Sequence, residues 1–147
     1  MPVSAQAMQK TPLANMYRVY VREIGHYINS HAYTAFFRGS GTATNLQQSF
    51  AWLLSGFDEE TLANGCQALS SQTFSVCKRV CPPGWTVKRW MVGAIMEHHA
   101  VNVYQSTPFD GYMFDPWIIQ RPMVYTYSEW GREMLTLQLI KNDRAEE

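Results

Sequence analysis

The sequence predicts a single α+β domain over residues 1–147, with helices first and an antiparallel sheet after them. Hydrophobic residues make up 46% of the chain and aromatic residues 14%, which is enough for one hydrophobic core. Apolar residues recur at helical spacing before Pro82-Pro83-Gly84. After this breaker, β-branched and aromatic residues and a hairpin signal predominate. Helices followed by a run of strands are typical of the α+β class.

Two helices are predicted in the first part of the chain. Residues 1–11 are small and polar, and we expect them to be flexible. Residues 13–30 carry apolar side chains at helical spacing and predict an amphipathic helix. Asn45 is a candidate N-cap for a second helix that ends at Gly56.

A third helix is expected to begin at Cys66. Asn64-Gly65 is typical of a break in the chain. Helical spacing follows it through the apolar residues Leu69, Phe74, Val76 and Val80. Pro82-Pro83-Gly84 then ends the helix, because proline lacks the amide donor that the next turn needs.

The C-terminal half predicts an antiparallel meander. Asp110-Gly111 is a strong hairpin signal, and it separates a strand over 100–105 from a returning strand over 112–117. Residues 128–140 fit a helix and a strand equally well, and residues 141–147 are expected to fray. Two further extended segments are predicted, over 85–96 with a bend at Gly93 and over 122–127.

Composition and cysteine count narrow the function classes. Twelve basic residues balance twelve acidic ones, so no nucleic acid or anionic membrane is expected as a partner. No apolar run is long enough to span a bilayer, and no secretory signal is visible. Three cysteines favour free thiols over a disulfide framework. Cys77 and Cys81 would need both His98 and His99 to complete a zinc site, and adjacent strand residues point to opposite faces, so we expect no metal.

Cys66, His99 and Asp115 form a candidate catalytic triad. A thiol at a helix N-terminus has a lowered pKa because the helix dipole favours its thiolate. His99 begins one strand and Asp115 ends the next, so a hairpin is expected to bring them together on one face. The histidine then acts as the base, and the aspartate orients it. His98 is the competing histidine.

These residues resemble the papain-like cysteine peptidase superfamily. His99-Ala100-Val101 and Asp115-Pro116-Trp117 match its histidine and aspartate strand motifs. The pattern from Gly111 to Asp115-Pro116, after a histidine-containing strand, is equally similar to transglutaminase-like proteins. The compact spacing looks like the small papain-fold toxin domains of bacterial polymorphic toxins. The resemblance covers roughly residues 60–120. It implies a papain-like core with N-terminal helices, a cysteine-bearing helix and a β-meander.

The resemblance also implies supporting residues and a biological setting. An upstream polar side chain completes the oxyanion hole in this family, with Gln47, Gln48 and Asn64 as candidates here. Trp117 is expected to shield the histidine–aspartate contact. The implied protein is an antibacterial effector without a cofactor. It would be delivered into the cytoplasm of a target cell and would cleave a protein substrate there. A cognate immunity protein would inhibit it.

Other functions use the same residues. Glutamine deamidation and transamidation need the same triad, and peptidoglycan amidases share the fold family. In a different class, a non-catalytic binding module would keep the fold, with Cys66 buried and inert and the aromatic strands serving as a partner surface.

Overall fold

The chain forms an α+β domain, which confirms the predicted class. The computed structural model describes residues 1–29, 59–93, 97–136 and 144–146. Within these residues there are four α-helices, which are α1 (Ala5–Met8), α2 (Ala14–Ile28), α3 (Glu59–Arg79) and α4 (Tyr127–Thr136). The strands are β1 (Thr86–Gly93), β2 (Glu97–Tyr104), β3 (Tyr112–Asp115), β4 (Met123–Thr126) and β5 (Arg144–Glu146).

Each terminal segment contains secondary structure within the described residues. Ser4 caps α1 by accepting a hydrogen bond from the Ala7 amide at 3.1 Å, and Met8 is buried. The Val3 amide donates to the Val124 carbonyl at 2.7 Å, so the segment expected to be flexible is bonded to β4 at Val3. At the other end, the segment expected to fray contains β5, which pairs with β1.

Helix α2 confirms the prediction from helical spacing. Its buried side chains recur every four residues at Met16, Tyr20, Ile24 and Ile28, so a single apolar stripe faces the core. The helix expected to start at Asn45 lies outside the described residues, as do Gln47, Gln48 and the loop around Gly39.

Helix α3 starts earlier than predicted. It begins at Glu59 and runs without interruption through Asn64-Gly65. Glycine inside a helix costs only about 1 kcal/mol, and packing of a long helix outweighs that amount. The buried residues that provide the packing are Leu69, Ser70, Thr73, Val76 and Cys77. Cys66 therefore lies inside the helix, and the expectation that it opens the helix is wrong.

The strands form one antiparallel sheet in the order β4-β3-β2-β1-β5. The meander is as predicted, although β3 ends at Asp115, before Pro116, because proline has no amide to donate to a ladder. A 3-10 turn at Pro108–Asp110 joins β2 to β3. The ambiguous segment after 127 begins as helix α4.

The ladder register assigns each side chain to one of two faces. Val101 pairs with Phe114, and Asn102 pairs with Met113. Because strand residues alternate between faces, Asp115 shares a face with His98 and Asn102, which we call the Asp115 face. The opposite face carries Phe114, Val101 and His99, and we call it the Phe114 face.

Helices cover both faces of the sheet. The Tyr20 ring of α2 contacts the Phe114 ring edge-on, with centroids 4.9 Å apart. Helix α3 packs beside α2 and against β1 and β2, and Arg79 of α3 forms an ion pair with Glu23 of α2. These contacts place α2 and α3 on the Phe114 face. Helix α4 contacts the Asp115 face through Trp130.

Candidate active site

A buried histidine–aspartate pair lies on the Asp115 face. Asp115 is the last residue of β3 and lies diagonally across from His98 of β2. His98 Nε2 is 2.6 Å from Asp115 Oδ2, and both side chains have 0% exposure. A short contact between two fully buried polar groups is stronger than the same contact in water, because the protein interior has a low dielectric constant.

Two further donors hold the Asp115 carboxylate. The Trp117 amide donates to Oδ1 at 3.0 Å, two residues along the chain, which is the local bond that aspartate side chains make in turns. The Trp130 indole donates to Oδ2 at 2.8 Å. Asp115 is therefore fixed by its own loop, by α4 and by β2, which gives the carboxylate one orientation.

This arrangement determines which nitrogen of His98 can act as a base. A carboxylate can only accept hydrogen bonds, so Nε2 carries the proton that points to Asp115 Oδ2. In the neutral ring the lone pair then lies on Nδ1. This division of roles, with one nitrogen oriented by an acid and the lone pair on the other, is the one that histidine has in a catalytic triad.

The structure pairs Asp115 with His98 and not with the predicted His99. His99 lies across from Met91 of β1, on the Phe114 face. The expectation that His99 and Asp115 share a face is wrong, because the register puts odd-numbered β2 residues and odd-numbered β3 residues on opposite faces. His98, the competing histidine, has the parity that the pairing needs.

The position of Cys66 changes the chemistry expected of it. Only the first four amides of a helix lack partners, and Cys66 is the eighth residue of α3. It therefore does not have the free amides or the dipole end that would activate a thiol at a helix start. The side chain of Cys66 lies outside the described residues, as does that of Asn64.

Cys66 nevertheless lies level with the histidines along the sheet. Helix α3 leads into β1 through the turn at Pro82–Trp85 and packs back along β1 and β2. From Arg79 back to Cys66 the helix rises about 20 Å, and from Thr86 to Val92 the strand rises about 20 Å as well. Val92 is paired with His98, so position 66 and the start of β2 lie at the same end of the sheet.

The other two cysteines are in environments that suppress a thiolate. Cys77 is fully buried in α3, and burial raises the pKa of its thiol above the usual value. Burial also raises the pKa of Cys81, although the nearby Lys78 ammonium opposes the shift. The Cys81 Sγ lies 3.4 Å from the Trp85 carbonyl oxygen. Neither thiol is an activated nucleophile.

An aromatic row connects the buried pair with the surface. The His98 ring lies 6.3 Å from that of Trp130, and Tyr127 lies 6.0 Å beyond Trp130. Phe109 contacts Tyr127 edge-on at 5.1 Å and is 65% exposed. The Trp130 ring is the member of this row that lies next to the histidine.

Sequence reasoning found part of this site. Trp117 does reach Asp115, through its backbone amide, and its side chain is buried. The contact of Trp130 with Asp115 cannot be predicted from the sequence, because the pattern around Trp130 fits both a helix and a strand. Its only sequence signal is a tryptophan in an amphipathic stretch, and that signal does not specify a partner.

Comparisons with known proteins give no relative. No protein family model, curated protein or solved structure matches this chain. Among the described residues, no helix is long and apolar enough to cross a membrane, and no group of three or more histidine, cysteine, aspartate or glutamate side chains is arranged to hold a metal ion.

Proposed function

We propose that this chain is a cysteine-dependent amide hydrolase in which Asp115 orients His98 and Cys66 is the nucleophile. The observation that carries the proposal is the His98–Asp115 contact of 2.6 Å between two fully buried side chains, on a carboxylate that two tryptophans hold in place. The order of cysteine helix, histidine strand and aspartate strand supports it, and so does the resemblance to papain-like and transglutaminase-like enzymes.

The reaction follows from the roles of the two ring nitrogens. His98 Nδ1 takes the proton from Cys66 Sγ, and the thiolate forms a bond to the carbonyl carbon of the substrate amide. The C–N bond then breaks, and the amine leaves with the proton from Nδ1. Water, activated by the same nitrogen, releases the acid and regenerates the thiol. An amine acceptor in place of water would give transamidation, and a glutamine side chain as substrate would give deamidation.

The geometry sets one requirement for this reaction. Helix α3 packs on the Phe114 face, whereas His98 projects from the Asp115 face. A thiol on α3 reaches His98 only around the end of the sheet, where β2 begins at Glu97. His98 is the second residue of that strand, so it lies close to this end of the sheet.

The proposed setting is that of a bacterial effector. Such a protein would act on a protein substrate in the cytoplasm of a target cell, and a cognate immunity protein would block access to Cys66. This part of the proposal rests on the resemblance to small papain-fold toxin domains.

A second candidate is a non-catalytic binding module. The observation that favours it is the complete burial of both His98 and Asp115, because buried polar pairs also serve to define a unique core arrangement. In that case the exposed Phe109 and its neighbours on the α4 side would contact a partner.

Thiol labelling separates the two functions. The folded protein is treated with limiting iodoacetamide at about pH 6, where ordinary thiols react slowly, and the labelled cysteine is mapped by mass spectrometry. The hydrolase predicts fast labelling of Cys66 alone. Uniformly slow labelling of the folded protein would contradict the hydrolase and favour the binding module.

Two matched variants identify the base. In His98→Gln, the side-chain amide still donates to Asp115 but cannot take a proton, whereas His99→Gln makes the same change on the opposite face. We expect His98→Gln to slow Cys66 labelling by about tenfold or more and His99→Gln to leave it within about twofold of the unmodified protein. The reverse order would show that His99 is the base. Circular dichroism checks that both variants fold.

A further inference from the structure

A strained glutamine lies in the loop that carries the aspartate. Gln120 has a φ of +58°, the one positive φ at a described residue other than glycine. Glutamine has no intrinsic preference for the left-handed region, which asparagine, aspartate and glycine favour. Its side chain is nonetheless almost fully buried, at 4% exposure. A strained backbone persists only where surrounding contacts hold it, so this conformation needs a specific structural reason.

The contacts of Gln120 lead to the histidine. Its Nε2 donates to the Trp117 carbonyl oxygen at 3.1 Å, and the Trp117 amide donates to Asp115 Oδ1 at 3.0 Å. Both backbone polar groups of Trp117 are thus bonded, one to the glutamine and one to the carboxylate. The peptides on either side of Trp117 cannot rotate without breaking one of these bonds. Gln120 therefore fixes the peptide that follows Trp117, next to the one whose amide holds Asp115.

We propose that Gln120 is a positioning residue for the His98–Asp115 pair. It locks the loop between β3 and β4 in a left-handed turn so that Trp117 presents its amide to Asp115, which in turn orients His98. The expected effect of Gln120 on Cys66 reactivity rests on the proposed hydrolase function, but its effect on the orientation of Asp115 and His98 does not. The two are tested with separate measurements.

The main variant is Gln120→Met, which keeps the length and unbranched shape of the side chain and removes the donor to Trp117. The second is Gln120→Gly, which also removes the donor but adopts a positive φ without steric conflict, so it folds even if methionine is not tolerated. Arg121→Gln is the matched control, because Arg121 is the exposed neighbour in the same loop.

The first readout is the Nε2 proton of His98, observed by proton NMR on protein with ¹⁵N-labelled histidine. The resonance is assigned by its loss in His98→Gln. We expect Gln120→Met and Gln120→Gly to shift this resonance and to speed its exchange with water by about tenfold. Ile24→Val, in α2, provides a control for global destabilisation, since the chemical shift should not move when stability falls elsewhere.

The second readout is the rate of Cys66 labelling at about pH 6. We expect this rate to fall by about tenfold in both Gln120→Met and Gln120→Gly, because a small misplacement of a catalytic group has a large effect on rate. If both variants fold and leave the His98 resonance and its exchange unchanged, Gln120 has no positioning role. If the resonance responds while the unmodified protein shows no fast labelling, the positioning role stands and the hydrolase function fails.

Discussion

Trp130 Nε1 lies 2.8 Å from Asp115 Oδ2, the same oxygen that contacts His98 Nε2. Helix α4 and strand β2 therefore meet at one carboxylate oxygen, and the buried pair ties the last described helix to the centre of the sheet. This shared oxygen makes the contribution of each donor measurable by substitution.

Removal of the indole donor should weaken the fold. Trp130→Phe keeps an aromatic ring and deletes the N–H that Asp115 accepts. We expect a loss of about 2 kcal/mol in the free energy of unfolding, since hydrogen bonds to charged groups contribute more than neutral ones. Urea denaturation measures this loss. Trp85→Phe, at a half-buried turn position, is the control and should lose less than about 1 kcal/mol. Equal losses would contradict a special role for the Trp130 indole.

The His98–Asp115 pair should show strong energetic coupling. In a double-mutant cycle of His98→Ala and Asp115→Ala, we expect a coupling energy of about 2 kcal/mol, since the two side chains are in direct contact. The same cycle with His99→Ala should give less than about 0.5 kcal/mol, because His99 is on the other face of the sheet. Urea denaturation of the single and double variants supplies both values. A larger coupling for His99 would mean that the register differs from the one described.

Gly111 should tolerate no side chain, although its φ is ordinary. A Cβ built at Gly111 would lie 2.5 Å from the Val103 carbonyl oxygen and 2.6 Å from Tyr104 Cβ. Backbone cannot move aside cheaply, so we expect Gly111→Ala to lose about 2 kcal/mol of stability. Its thermal unfolding midpoint should fall accordingly.

Gly84 provides the contrast for Gly111. Its φ is +85°, and no atom lies within 4 Å of a Cβ built there. Gly84→Ala therefore suffers conformational strain alone, and we expect a loss of about 1 kcal/mol. If Gly84→Ala were the more damaging of the two, the close approach at Gly111 would not be the dominant constraint.

Alkaline pH should destabilise the protein through Cys77. Burial raises the pKa of this thiol above its reference value of 9.0, so the native state retains a proton that the unfolded chain releases. The stabilisation is complete below pH 9 and is lost as the pH rises, by up to about 1.4 kcal/mol per pH unit for one group. Urea denaturation between about pH 8 and pH 10 should show this decline.

Cys77→Val removes that titration while keeping an apolar side chain, so the decline in stability between about pH 9 and pH 10 should become shallower. Cys81→Val is the control, and its effect should be smaller because Cys81 is only half-buried. An unchanged slope in Cys77→Val would show that the thiol ionises equally in both states. Tyr20, whose pKa burial also raises, should add to the decline above pH 10.

Several features could be predicted from local sequence alone. Helix α2 follows from the four-residue recurrence of its buried side chains, the end of α3 from Pro82-Pro83, and the hairpin between β2 and β3 from the Asp110-Gly111 turn. The contact between a histidine at the start of β2 and Asp115 at the end of β3 also follows from the predicted hairpin. These features depend on interactions between residues near one another in the chain.

The tertiary structure decided three features. These are the choice between His98 and His99, the start of α3 at Glu59, and the helical state of the segment after 127. A shift of one residue in the β2–β3 register would place His99, instead of His98, on the same face as Asp115. The periodicity of a single strand does not specify how that strand is aligned with its neighbour. Likewise, the packing of Leu69, Thr73 and Cys77 against the core outweighs the local cost of Gly65 in α3. The sequence by itself therefore determined the class, the order of the elements and the residues available for chemistry. Contacts between distant segments decided which of those residues meet, because their energies exceed local preferences.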